Sequence, residues 1–458
     1  MTPRLTAAID RRLVLKGLAA LPLAAALPRP AAAQGAAATL VAVADLHSPY
    51  ARLPALLAEL RAIRAEAPGP VALLINGDAF ERGNVVATRG GAVADWAFLR
   101  AAAAEMPVVL NLGNHETAIE DDMATTVARA RAAGVEVIGN LIDRRTGRFF
   151  APVSTRLGLR GIDVALLGIG TDNPFVYRQP ARDTLTLLDP VAFAGDAVAD
   201  ATAGADLPVL ASHAGVAADK AILPALPEGA LAIGAHDHLD LRHAADGRTY
   251  LHGGAWGGQF ALCHLTPAGE GVAVAVEMRA VAPGGGDDDL AALIAAQKEE
   301  HLTAEDRAVI AEREQALDMP ASILLAAEAV RAATGADIAF LGHTTFGAPL
   351  AAGPLTRYDF DAFIRFDGDI RVAEVPGETL ARIMTRANQH KAASLDARTG
   401  DFVHAAEIEI DPSATYRVAT NGWTAMNQQS YLGTEGLDFQ PVEGAMLKAI
   451  VAEALAAG

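Results

Sequence analysis

The sequence predicts a two-domain α/β protein, and three observations predict it. Apolar runs of strand length, at residues 40–44, 71–75, 108–112, 207–211 and 230–234, alternate with stretches whose apolar side chains are compatible with helix. Each run stops abruptly at polar side chains able to bind a metal: Asp45 and His47, Asp78, Asn114, His213, then His236 and His238. A turn-rich, charged break at residues 283–289 precedes a second alternation of the same kind. The 458 residues also exceed what one hydrophobic core usually organises.

Composition narrows the class. Hydrophobic residues make up 52% of the chain, ample for sizeable cores, and the formal net charge of −18 argues against a nucleic-acid or anionic-membrane surface. A small anionic substrate stays compatible with it through local cations. The one cysteine, Cys263, excludes an intrachain disulfide. At the N-terminus, Arg11-Arg12-Leu13-Val14-Leu15-Lys16 precedes an apolar stretch to Leu27, Pro28 and an Ala-rich run to Gln34. This resembles a twin-arginine signal peptide over residues 1–33, so export to the periplasm or beyond through the twin-arginine translocation machinery is expected. The apolar stretch is too short for a bilayer of about 30 Å, and Pro22 interrupts it.

Taken in order, the first strand ends in Asp45-x-His47, and Leu53, Leu56, Leu57, Leu60 and Ile63 then mark an amphipathic helix covering one sheet face. The second strand ends in Asn76-Gly77-Asp78, the third in Gly113-Asn114-His115-Glu116. After a further run at 164–168, the last two deliver Ser212-His213 and His236-Asp237-His238. A first domain is expected over 37–282, a linker helix over 287–318, and a second domain over 319–458 opening with a helix at 321–334 and a strand at 337–341.

Open α/β sheets bind ligands beyond the carboxyl ends of their strands, which is where Asp45, His47, Asp78, Asn114, His213, His236 and His238 fall. Two divalent cations need a bridging carboxylate, imidazoles and a neutral oxygen donor, and this set contains all three. Asp78, on the central strand, is the natural bridge. His243, His252, His264, His301, His343, His390 and His404 read as surface or structural, although the glycine-rich loop after His252 is able to approach the metals.

Asp45-x-His47, Gly77-Asp78, Gly113-Asn114-His115-Glu116, His213 and His236-x-His238, in that order, resemble the calcineurin-like metallophosphoesterase superfamily. Residues 337–341, 353–356 and 415–421 resemble the second domain of bacterial periplasmic 5'-nucleotidases and UDP-sugar hydrolases. The resemblance implies a four-layer αββα catalytic domain and a smaller α/β substrate domain. It implies one cation on Asp45, His47 and His238, another on Asn114, His213 and His236, and Asp78 between them. The ions, Mn, Zn, Fe, Co or Ni, would activate water for in-line attack on a phosphate ester. His115 would stabilise the transition state or protonate the leaving oxygen, and Asn114 would also contact substrate.

Two departures matter. The Asp that usually partners the His, three residues on, is Ala118 here; Gly77-Asp78-Ala79-Phe80-Glu81-Arg82-Gly83 instead resembles a protein-phosphatase segment. That points to Glu81 as partner of His115 and Arg82 as phosphate ligand, with Asp121 or Asp122 as other candidate partners. Phe366 and Trp423 match the aromatic pair that stacks a nucleotide base, though either suits a core equally well. The Arg-bearing loop of the family is replaced by residues 342–347, and its ribose-binding Asp by Gln429. A cyclic-nucleotide phosphodiesterase, a thiosulfohydrolase-like relative and a non-catalytic metal-containing binding module are the alternatives.

Overall fold

A computed structural model describes residues 37–269, 271–392 and 394–457; the expected export segment lies outside them. Among the described residues no helix is long and apolar enough to cross a membrane.

The N-terminal domain stacks two sheets. The strands of these two sheets are β1 (Ala38–Ala44), β2 (Val71–Asn76), β3 (Val108–Asn111), β4 (Glu136–Ile138), β5 (Ser154–Leu159), β6 (Ile162–Gly170), β7 (Leu207–His213), β8 (Leu231–Gly234), β9 (Asp240–Ala245), β10 (Arg248–Gly253), β11 (Gln259–Ala268) and β12 (Gly271–Ala280). One six-stranded sheet has the order β12-β11-β1-β2-β3-β4, the other β9-β10-β8-β7-β6-β5. Strands β1 to β4 pair parallel, as do β6, β7, β8 and β10, so the chemistry-bearing tips point the same way within each sheet.

Alternation of side chains across a strand explains why the runs are apolar throughout. Leu40, Ala42 and Leu74 pack against Leu166, Val209 and Leu231 in the space between the sheets. Val41, Val43 and Leu73 face the other way, onto Leu56, Leu57 and Leu60 of the helix Leu53–Glu66. On the far side, Leu167 and Leu210 bury against Ala194 and Val198 of the helix Pro190–Thr202. Helix, sheet, sheet, helix is the resulting order of layers. Buried amides tie the two sheets at their tips: Asn76 Nδ2 donates to the carbonyls of Ser212 and Ile233 at 2.9 and 2.7 Å, and Asn111 Nδ2 to Asn76 Oδ1 at 2.9 Å.

The stretch expected to be one linker helix over 287–318 divides. Its helix is Asp288–His301, whose Leu290 and Ile294 join the N-terminal core. Thr303 and Asp306 then close a turn, the Thr303 amide donating to Asp306 Oδ2 at 2.8 Å, and the chain enters β13 (Val309–Arg313). That strand pairs antiparallel with β15 (Gly353–Thr356), so the charged composition that favoured helix yields to a turn and a strand. The C-terminal domain continues with β14 (Ile338–Gly342), β16 (Asp369–Pro376), β17 (Val403–His404), β18 (Thr415–Asn421) and β19 (Gln440–Met446), in the sheet order β17-β14-β18-β16-β19. The helix Met319–Thr334 buries Ile323 and Ala326 against Leu341 on one face, while Phe340 and Val418 lie in a separate cluster with Leu380.

Candidate functional site

The strand tips turn so sharply that Asp45, His47, Asp78, His236 and His238 all take positive φ, between 48° and 80°. L-residues avoid that region, and such outliers persist only where surrounding structure over-determines them. Close packing adds to the constraint. A Cβ on Gly77, itself at φ 78°, would lie 2.1 Å from His213 Nδ1, and one on Gly113 would lie 2.4 Å from Asp78 Oδ1. Glu116, buried behind them, holds both turns by accepting from the amides of Ala79 at 3.1 Å and Gly113 at 2.8 Å.

These turns converge the predicted ligands into two groups, Asp45 with His47 and His238, and Asp78 with His213 and His236. Asp78 sits centrally, its Oδ2 lying 3.2 Å from His213 Nε2 and 3.7 Å from His47 Nε2. Its Oδ1 accepts from the His115 amide at 2.6 Å. The His213 ring places Nδ1 2.9 Å from the Asn76 carbonyl, which directs Nε2 toward the site. That Nε2 and Asn114 Oδ1 are buried without a hydrogen-bond partner. His47 Nε2 and His238 Nε2 face each other at 3.0 Å.

The donor set fits divalent cations. Burial drives His47 down to about 3 and His236 to about 4, and lowers His238 as well, so these imidazoles are neutral, the form that binds a metal. His213 differs: burial alone would lower it, but the carboxylates of Asp78 and Asp45 carry it up to about 10. Burial also pushes Asp45 well above the usual carboxyl value. Unpaired buried oxygens, facing nitrogens and crowded carboxylates are the features a cation relieves.

The acid proposed beside His115 sits deeper than a surface pair would. Glu81 Oε2 lies 3.2 Å from His47 Nδ1 and 3.5 Å from His115 Nδ1, while Oε1 accepts from the Gly83 amide at 2.7 Å. Although burial opposes it, Arg365 and His115 hold Glu81 well below the usual carboxyl range. The other candidate partners are engaged elsewhere, Asp121 with Arg178 and Asp122 with Arg145. Arg82 is exposed and lines the cleft above.

That cleft, of about 580 Å³, has the ligand groups at its floor and the C-terminal domain as its opposite wall. Phe366 and Trp423 line it at 51% and 41% exposure, too open for core residues, and Phe175 of the N-terminal domain faces the same space. Trp423 Nε1 donates to Tyr431 Oη at 3.2 Å, which fixes the indole.

Sequence reasoning missed three groups. Arg365 reaches from the C-terminal domain to place Nη2 2.7 Å from Glu81 Oε2. Trp256 stacks on His47 with ring centroids 5.1 Å apart and also underlies the Arg365 guanidinium. The glycine-rich loop does approach the ligands, but through Trp256; His252 is turned away and bonds Tyr250 Oη at 2.6 Å. Asp401 joins Asp237 in the cleft wall near His236. Only the neighbours of these residues carried a signal, Phe366 beside Arg365 and the glycines around Trp256.

Comparison with known proteins accords with this geometry. The calcineurin-like phosphoesterase profile matches residues 38–240, and the 5'-nucleotidase C-terminal domain profile matches 301–434. No curated protein sequence matches the chain. Among solved structures, a 5'-nucleotidase precursor from Thermus thermophilus is similar at TM-score 0.60 and 19% identity, over 92% of this chain and 96% of that one. A sulfate thiohydrolase SoxB from the same organism is similar at TM-score 0.64 and 17% identity, over 92% and 94%. A 5'-nucleotidase from Candida albicans gives 0.58 and 13%, over 92% and 98%. At these identities the structural likenesses establish the fold, a two-domain α/β architecture. With both profiles matching in order along it, the chain carries a calcineurin-like phosphoesterase domain followed by a 5'-nucleotidase C-terminal domain and is a metal-dependent phosphoester hydrolase.

Proposed function

We propose that this chain is an exported phosphoesterase that uses two divalent cations to hydrolyse nucleotides or related phosphate monoesters. The observation that carries this reading is that two ligand groups sit around Asp78 at the floor of a cleft whose walls bear Phe366, Trp423 and Phe175. Asp45, His47 and His238 would hold one ion; His213, His236 and Asn114 would hold the other, with Asp78 between them. When bound, such ions act as Lewis acids on a phosphoryl oxygen and lower the pKa of water. The chain's own side chains then do the rest. Glu81 orients His47 and His115, Arg82 offers a cation to phosphate at the mouth, and the aromatic rings present flat faces that stack on any base.

The division of labour follows the domains: catalysis in residues 37–282, selection in 319–458, and the segment 287–318 between them. Export rests on Arg11-Arg12 and the apolar stretch after it. A second reading, sulfur-ester or cyclic-diester hydrolysis, is favoured by Gln429 standing where the family's ribose-binding Asp is expected.

The test is product analysis with the metal-reconstituted mature protein: phosphate from nucleoside mono-, di- and triphosphates and simple esters, nucleoside monophosphate from UDP-sugars and cyclic nucleotides, and sulfate from a thiosulfonate. Preference for nucleoside 5'-phosphates supports the reading. Turnover of simple esters without such preference leaves the phosphoesterase and removes the nucleotidase; no turnover at all leaves a binding module.

A further inference from the structure

We infer that Arg365 is a cationic donor that faces the phosphoryl group in front of the ligand groups, an assignment that rests on the phosphoesterase reading above. Its position is built rather than incidental. The Arg365 amide donates to the Thr345 carbonyl at 3.2 Å, and the adjacent Ile364 forms a bridge with Phe346, so the backbone is fixed by the C-terminal domain. The side chain, 3% exposed, crosses to the N-terminal domain between the rings of Trp256 and Phe366, with its central carbon 5.2 and 4.9 Å from their centroids.

One nitrogen makes every polar contact of this guanidinium among the described residues. Nη2 lies 2.7 Å from Glu81 Oε2, 3.3 Å from His115 Nε2 and 3.4 Å from His47 Nδ1. Nε is fully buried and has no partner. A buried charged donor left unpaired is expensive, and a guanidinium presents its donors as a fork that matches the oxygens of a phosphate. Arg365 lines the same cleft as Asp78, Asn114 and His115, so an oxyanion placed over the ligand groups is the partner in reach.

The experiment uses the full mature protein loaded with metal, as wild type, R365K and R365M. Metal content and melting temperature are measured first, then inorganic phosphate binding by calorimetry. R365M should bind phosphate on the order of tenfold or more weakly at unchanged metal content, with R365K recovering part of the loss. Phosphate binding by R365M within twofold of wild type, at equal metal content, overturns the assignment. Because phosphate binding needs no turnover, that arm stands apart from whether nucleotides are the substrate.

Discussion

Glu81 Oε2 is shared among His47, His115 and Arg365, which makes this one oxygen the junction between a ligand, a candidate catalytic residue and the opposite domain. By accepting from His47 Nδ1 it would leave Nε2 free for a cation, and partners of this kind are worth roughly 10–100-fold in metal affinity. Glu81→Ala is therefore expected to lose metal affinity by about that factor. Glu81→Gln, which keeps an accepting oxygen, should lose distinctly less. Competitive titration with a chromophoric chelator measures both. Equal affinity in wild type and the alanine variant would mean that His47 is oriented by its stacking on Trp256 alone. Glu81 was legible from its place four residues after Gly77, in a segment resembling protein phosphatases. Arg365 was not, because nothing in local periodicity encodes a side chain crossing between domains.

At the scale of elements, strands were read well and their surroundings less well. Strands β1, β2 and β7 are buried on both faces, so their composition alone marked them, and the polar residues at their tips marked the site. The stretch over 302–317 failed because a Thr303–Asp306 turn and cross-strand pairing outweigh helix propensity. The helix Val93–Glu105 shows what such reading passes over entirely: Asp95 is buried in its first turn and accepts from Tyr50 Oη at 2.7 Å. Burial raises Asp95 from 3.8 to about 7. Its folded pKa thus exceeds the unfolded one, so the folded state holds the proton more tightly. The associated stability is fully present below pH 3.8 and is lost as pH rises through about 7. Asp95→Asn removes that titration and retains an acceptor for Tyr50. Its melting temperature should exceed the wild type's at pH 8 and approach it at pH 5. A difference that does not change with pH would show that Asp95 is not protonated in the folded protein.

The molecule as a whole places its two walls by contacts that leave little play. Gly400 packs so closely on Asp237 that a Cβ there would lie 2.6 Å from Oδ2, and Gly347 seats on Trp256 with the same 2.6 Å limit. The ligand groups and the C-terminal aromatics are thus held at a set separation across the cleft, and a substrate must satisfy both at once. The two walls then act on different parts of it: the floor on the phosphoryl group, common to all esters, and Trp423 with Phe366 on whatever the ester carries. Stacking on one ring is worth about 1–3 kcal/mol per base. Trp423→Ala should accordingly raise KM for a nucleoside monophosphate by roughly tenfold to a hundredfold, while kcat/KM for 4-nitrophenyl phosphate stays within about twofold. Metal content should not change, since Trp423 touches none of the ligand residues and is held by Tyr431 of its own domain. Parallel loss on both substrates would instead place Trp423 in the packing that positions Arg365, because only a residue shared by every ester's reaction lowers both together. The ratio of the two losses, read from initial rates on one preparation, decides between a recognition wall and a structural one.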